Sequence, residues 1–240
     1  MHPNIQCPIH SIAVPALLDG QRYDIYGEVH KALRLFMTDT MTRLAVCDPR
    51  DESGVEDSLQ QLSLLLDVCA EHGTDENRFV HPAIERARPG GSQHAASEYL
   101  AYEETIAELR KLSDAVSTWT GANKAVALAR LYRALALFVA WNLEHMEYEE
   151  VEHNTALWAH YSDMELLATK DALVASKSRS AMAAVLPWFI KGLNPSELAG
   201  MLGGMRAGMP QAAFDGVMAL ARDVLPKQRY EAIVAALGVA

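Results

Sequence analysis

Leu143–His153 reads LEHMEYEEVEH and follows directly on Val126–Asn142, VALARLYRALALFVAWN. Two histidines and five glutamates thus succeed one of the most apolar runs in the chain, with no glycine or proline between them to stop a helix. The reading of this junction decides the fold. Residues three, four or seven apart share a helix face, so His145 lies in line with Phe138 and Trp141 before it and Glu149 after it. The imidazole and the carboxylate therefore sit on the face that should be buried, one turn apart, a workable chelating pair.

The rest of the chain has the same periodicity. Beta-branched residues are sparse, alanine, leucine and methionine abundant, and the apolar spacing is helical almost throughout. An all-α protein is expected, with a first helix over about 23–46 and DPRDESG as its polar exit. A second helix starts near Val55 and runs to the stop at RPGGS, with Gly73 costing ~1 kcal/mol in propensity and Pro82 predicted to kink or restart it. A third helix spans Gln93 to Thr118, and a fourth runs from Ala122 to beyond Asn154. Four long helices with short connections imply an up-down-up-down four-helix bundle.

Three divisions are expected: an N-terminal arm over 1–20, the bundle over 21–165, and a C-terminal helical extension over 166–240. In NPSEL, Asn194 as N-cap, Pro195 at the first helical position and Glu197 at the third are agreeing start signals. The extension is glycine-rich and carries no charged or histidine constellation. It is expected to pack on the bundle or against a second copy, giving a homodimer.

Composition narrows the function. The 240 residues, 50% hydrophobic and 22% charged, are enough for a substantial core. A formal net charge of −10 argues against a nucleic-acid partner, which would need clustered lysine and arginine. Three scattered cysteines fit neither a disulfide framework nor a CxxC knuckle, so a reducing, cytoplasmic setting is expected. The first residues lack the pattern of a secretory signal, and no window offers about 18 uncharged apolar residues, so no membrane span is expected.

The chemistry lies in a pattern shared by the four helices. In the second, Leu62, Leu65, Val68, His72 and Glu76 form one stripe; in the first, His30 interrupts Tyr26, Leu33 and Met37; in the third, Glu103 lies with Tyr99 and Ile106. A lone inward histidine is ordinarily a hydrogen-bonded core residue, and a lone HxxxE pair an ordinary helix contact. Inward placement on all four helices together points to a metal layer, because unpaired buried charge costs several kcal/mol per group, a cost of roughly that size wherever it occurs. Two divalent cations would offset Glu76, Glu103 and Glu149, and imidazole with carboxylate suits iron, manganese or zinc. Glu144, Glu147, Glu150 and Glu152 are assigned to a solvated face. His81, His94 and His153 are left between second-layer and exposed roles.

These residues resemble a known family. YDIYGEVHKALRLFM, HGTDENRFVHPAIE and HMEYEEVEHNTALW look like the motifs of hemerythrin-like, HHE cation-binding proteins, over roughly residues 20–165. The resemblance implies a four-helix bundle with a non-haem di-iron centre. By motif match His30, His72 with Glu76, and His145 with Glu149 carry over as ligands, with the two glutamates as bridging candidates. Where the family usually has a third-helix histidine this chain has EYLAYEETIAEL, with Glu103 at the expected place. Such a carboxylate-rich set favours the ferric state. It turns the implied function from reversible oxygen carriage toward sensing dioxygen, iron or a related diatomic molecule, or toward oxygen activation with Tyr26, Tyr102 or Tyr148 nearby. Two alternatives stand beside it: an oxidase or oxygenase on the same centre, and a metal-free helical interaction module. A ferritin-type centre fits less well, since only Glu150 and His153 obey its ExxH spacing.

Overall fold

The computed structural model describes residues 22–238. The expected N-terminal arm, 1–20, lies outside the described residues. The described chain is helical and contains no strand. Helix α1 is Gly27–Ala45, and α2, Glu52–Asp75, continues through a π turn, Glu76–Val80, into α3, His81–Ala87. Helix α4 is Gln93–Thr118. Helix α5, Gly121–Tyr148, passes through a second π turn, Glu149–His153, into α6, Asn154–His160. These form the bundle, in which α1 neighbours α2 and α5, and α4 neighbours α2 and α5.

Local chemistry accounts for the boundaries. The Asp24 carboxylate accepts the N–H groups of Tyr26 and Gly27, so the chain turns there and α1 starts at Gly27 instead of Tyr23. Asp51 caps α2 by accepting the Gly54 N–H, which moves the start into the DPRDESG segment that was expected to be an exit. Gly73 has a packing reason: a Cβ there would meet the Tyr99 and Tyr102 rings of α4 at 3.3 and 3.5 Å. Pro82 falls in the first turn of α3, where the helix restarts directly after the π turn and a missing donor is tolerated. The bundle core is made by Leu33, Phe36 and Met37 of α1, Leu62, Leu65 and Leu66 of α2, and Leu131, Leu135 and Phe138 of α5.

The C-terminal helices are α7, Asp163–Ala175, α8, Arg179–Gly192, α9, Pro195–Gly208, α10, Gln211–Val224, and α11, Lys227–Leu237. Ser162 and Asn194 each form a capping box, with Glu165 and Glu197 respectively, and the start signals read in NPSEL hold. Helices α8 to α11 build a core of their own around Ile190, Leu198, Leu202, Phe214 and Ile233. Helix α8 lies on α1, with the Trp188 ring stacked on Phe36 at 3.9 Å. Gly192 permits the approach, since a Cβ there would stand 3.1 Å from the Lys31 carbonyl.

By length and composition the Gly121–His160 helix could cross a membrane, with 39% of its most apolar window buried. Its inner residues Leu131, Leu135 and Phe138 belong to the bundle core. Trp188 is the pivot of the docking, so Trp188→Ala should lower unfolding stability by about 3–5 kcal/mol in a urea titration, the range for emptying a large core side chain. A change below about 0.5 kcal/mol, as for an ordinary surface site, would mean that α8 does not dock on α1 in solution.

Candidate metal centre

Each π turn begins on the glutamate of an HxxxE pair. The His81 N–H bonds to the Glu76 carbonyl, and the Asn154 N–H to the Glu149 carbonyl, both five residues back. In an α-helix five residues leave side chains about 140° apart; a π turn returns the fifth roughly above the first. His81 is thereby swung onto the face that carries His72 and Glu76.

Two groups of donor atoms result. His30, His72, Glu76 and Glu149 offer atoms within 4.8 Å of one another, and so do His81, Glu149 and His153. Glu149 belongs to both. Its Oε2 faces His30 Nε2 at 3.6 Å, while its Oε1 faces His145 Nε2 at 3.3 Å and His153 at 3.9 Å. Glu149, His30 and His153 are fully buried.

The imidazoles are aimed by contacts at their other nitrogen. His30 Nδ1 lies 3.0 Å from Glu150, His81 Nδ1 3.0 Å from Asn77, His145 Nδ1 3.0 Å from Glu98, and His153 Nδ1 2.9 Å from the Tyr26 hydroxyl. With Nδ1 protonated and donating to these oxygens, each Nε2 keeps its lone pair for the chamber, the usual arrangement around a metal-bound histidine. Arg34 holds Glu150 through both oxygens.

Inside the chamber the donors are unsatisfied. Nε2 of His30, His72, His81 and His153, Oε1 of Glu76 and both oxygens of Glu149 are buried without a hydrogen bond. His72 Nε2 and Glu76 Oε1 approach to 3.0 Å but lack the alignment of one. At about 1–3 kcal/mol per unsatisfied atom, the total rivals the whole stability of a domain, on the order of 10 kcal/mol. Converging imidazole and carboxylate lone pairs fit a divalent cation and fit no packing role.

The hemerythrin HHE cation-binding domain model matches residues 22–153, more than half of the chain. The chain belongs to the hemerythrin family. No curated protein and no solved structure matches it. The hemerythrin domain is a cation-binding one, and its His/Glu cluster has the composition to hold metal.

Of the six residues expected as ligands in this hemerythrin domain, His30, His72, Glu76 and Glu149 converge as one group, and His145 stands beside Glu149 with its ring 17% exposed. Glu103 does not join them. The inward stripe of α4 is Tyr102, Ile106, Leu109 and Val116, and Glu103, one residue past Tyr102, is rotated by about 100° into solvent. The α4 carboxylate at the site is Glu98. His153 and His81, left open by spacing, are buried chamber residues. Glu150, assigned to the solvated face, is half-buried between His30 and Arg34, whereas Glu144, Glu147 and Glu152 are exposed as expected. His94 is exposed at its ring, 3.7 Å from Glu98.

Electrostatics follow from this crowding. Burial opposes protonation of His30, but its hydrogen bond with Glu150 and the nearby negative charges of Glu76 and Glu149 win and raise its pKa to about 9. His145 is likewise raised to about 9, burial being outweighed by Glu149. His153, with burial unopposed by a bonded carboxylate and His81 nearby, is pushed down to about 3.

Two outcomes can be measured. A pKa near 9 leaves His30 and His145 protonated at pH 7 when no metal is bound, so metal uptake at pH 7 should release about two protons, fewer as pH rises through 9, as read with an indicator dye. A proton yield that did not change with pH would contradict this. Secondly, Glu98→Gln should weaken metal affinity by about 10–100-fold, the usual effect of losing a histidine's orienting partner, and Glu103→Gln should leave it unchanged in a chelator competition. The reverse order would restore Glu103 as the ligand.

Proposed function

We propose that the domain holds two iron ions on the two donor groups, with Glu149 shared between them, and that it binds or senses dioxygen, iron or a related diatomic molecule in the cytoplasm. The observation that supports this reading is Glu149 itself, a fully buried carboxylate with both oxygens unsatisfied and each facing a different set of imidazoles. His30, His72 and Glu76 would hold one ion and His81 and His153 the other, with His145 beside the second. Manganese and zinc are chemically possible substitutes.

Bound iron would supply reversible one-electron chemistry and open positions for a small ligand. The chain's own residues provide the setting. Glu76, Glu149, Glu150 and Glu98 with Arg34 carry a net formal charge close to that needed to balance two divalent ions. A chamber of about 30 Å³ on the α4 and α5 side is lined by His72, Glu76, His81, His145 and Glu149. That is room for one or two water-sized molecules. Tyr26, fully buried and bonded to His153, adjoins the centre, and Tyr102 lines the small chamber.

An oxidase or oxygenase is the second reading. It is favoured by an apolar cavity that reaches His72 and Glu76 from the opposite side, between the bundle and the C-terminal helices.

Reconstitution with iron(II) should give two irons per chain and visible bands that change on adding dioxygen or azide. Glu149→Ala should reduce iron to below one per chain while the helical circular-dichroism signal is kept. No iron after reconstitution would remove both readings. A stoichiometry of one, unaltered in Glu149→Ala, would remove the bridging role.

A further inference from the structure

The cavity that reaches His72 and Glu76 has a volume of about 150 Å³. Val29, Leu33 and Val68 of the bundle form one wall, and Leu173, Met182 and Val185 of the C-terminal helices form the other. An apolar protein cavity of about this volume accommodates one benzene molecule. Neither wall encloses the space alone, so the pocket exists only because α7 and α8 are packed against α1 and α2.

The rim determines what charge can enter. Lys170 lies 3.7 Å from Glu28, and Lys177 lies 3.0 Å from Glu71 and bonds Asp75. Two ammonium groups face three carboxylates, so no positive charge is spare for an anionic ligand. A cation would have to bury its charge between two aliphatic walls, and the carboxylate on the floor, Glu76, already faces His72 at 3.0 Å and His30 at 3.9 Å. An uncharged molecule meets neither obstacle. The floor consists of His72, whose ring is 17% exposed, and Glu76.

We propose that this cavity binds an uncharged apolar molecule the size of one six-membered ring, an arene or a phenol, and holds it against the His72–Glu76 side of the metal centre. The C-terminal helices are then the second half of a ligand pocket. Binding itself requires no metal; only the use of the ring as a substrate rests on the oxidase or oxygenase reading.

The experiment is a fluorine-NMR titration of the full-length protein, metal-free and metal-loaded, with fluorobenzene, 4-fluorophenol, 4-fluorobenzoate and 4-fluorobenzylammonium. The two neutral probes should bind both forms, and the charged ones at least tenfold more weakly. Ala181→Phe and Val185→Phe, which fill the C-terminal wall, should each weaken neutral-probe binding at least tenfold without altering iron content. Fluorine relaxation of the bound ring should be several-fold faster in the manganese(II)-loaded protein than in the zinc-loaded one. Neutral probes that fail to bind folded protein, a charged probe that binds most tightly, or affinity unchanged in a folded wall variant would each overturn the proposal. If either variant fails to fold, the charge series in the wild-type protein still decides. Two irons per chain with no ring binding would defeat this proposal alone, and ring binding without iron would defeat the di-iron reading alone.

Discussion

Glu76 and Glu149 are two carboxylates buried in the middle of a helical bundle, and much of the surrounding structure can be understood from their charge. An ionised carboxylate away from water is tolerated only with a positive partner close by. The nearest cations the chain itself supplies are imidazolium groups, and the positive side chain at Arg34 is taken by Glu150. Protonated His30 and His145 meet the demand in part, as their raised pKa values show. His81 and His153 cannot, because burial drives both toward the neutral form. Neutral imidazole with a free Nε2 is the form in which histidine ligates metal. The two kinds of histidine thus describe a chamber built for a cation, in which protons only partly replace it.

The π turns carry this electrostatic arrangement into the backbone. A regular α-helix can offer a histidine and a glutamate four residues apart, but its next inward position is then fixed by 3.6-residue periodicity. Widening one turn after Glu76 brings in His81, and widening one after Glu149 ends on the buried His153. A π turn is less favourable than the α-helix it interrupts and is found mostly at functional sites. Two of them at the same level of the bundle, each starting at a chamber carboxylate, tie the irregularity to the ligand set.

The same turns mark the limit of what periodicity could reveal. The four bundle helices were legible because their apolar stripes keep one period over many residues, and α4 was legible to its ends. His30, His72, Glu76 and Glu149 were legible for the same reason, since each lies in register with buried leucines or aromatics. His81 was not, because five residues from Glu76 is an outward position in any α-helical projection. Glu103 failed in the opposite sense: Tyr99 and Tyr102 are both near the bundle, and taking the stripe through Tyr99 moved the face by one residue. Glu150 looked solvated because its sequence neighbours are, while its environment is set by Arg34 and His30, more than a hundred positions away. Long-range pairing of this kind leaves no periodic trace.

The C-terminal helices, which no motif addressed, change how the centre faces its surroundings. Without them the α1 and α2 side of the bundle would present Val29, Leu33 and Val68 to water beside His72. With α8 stacked through Trp188 on Phe36, that side becomes an apolar cleft, while the α4 and α5 side keeps a smaller, relatively more polar chamber lined by His81 and His145. The two sides therefore differ in size and polarity around one set of donors. His72 and Glu76 line both spaces, so the two approaches to the donor set share one wall.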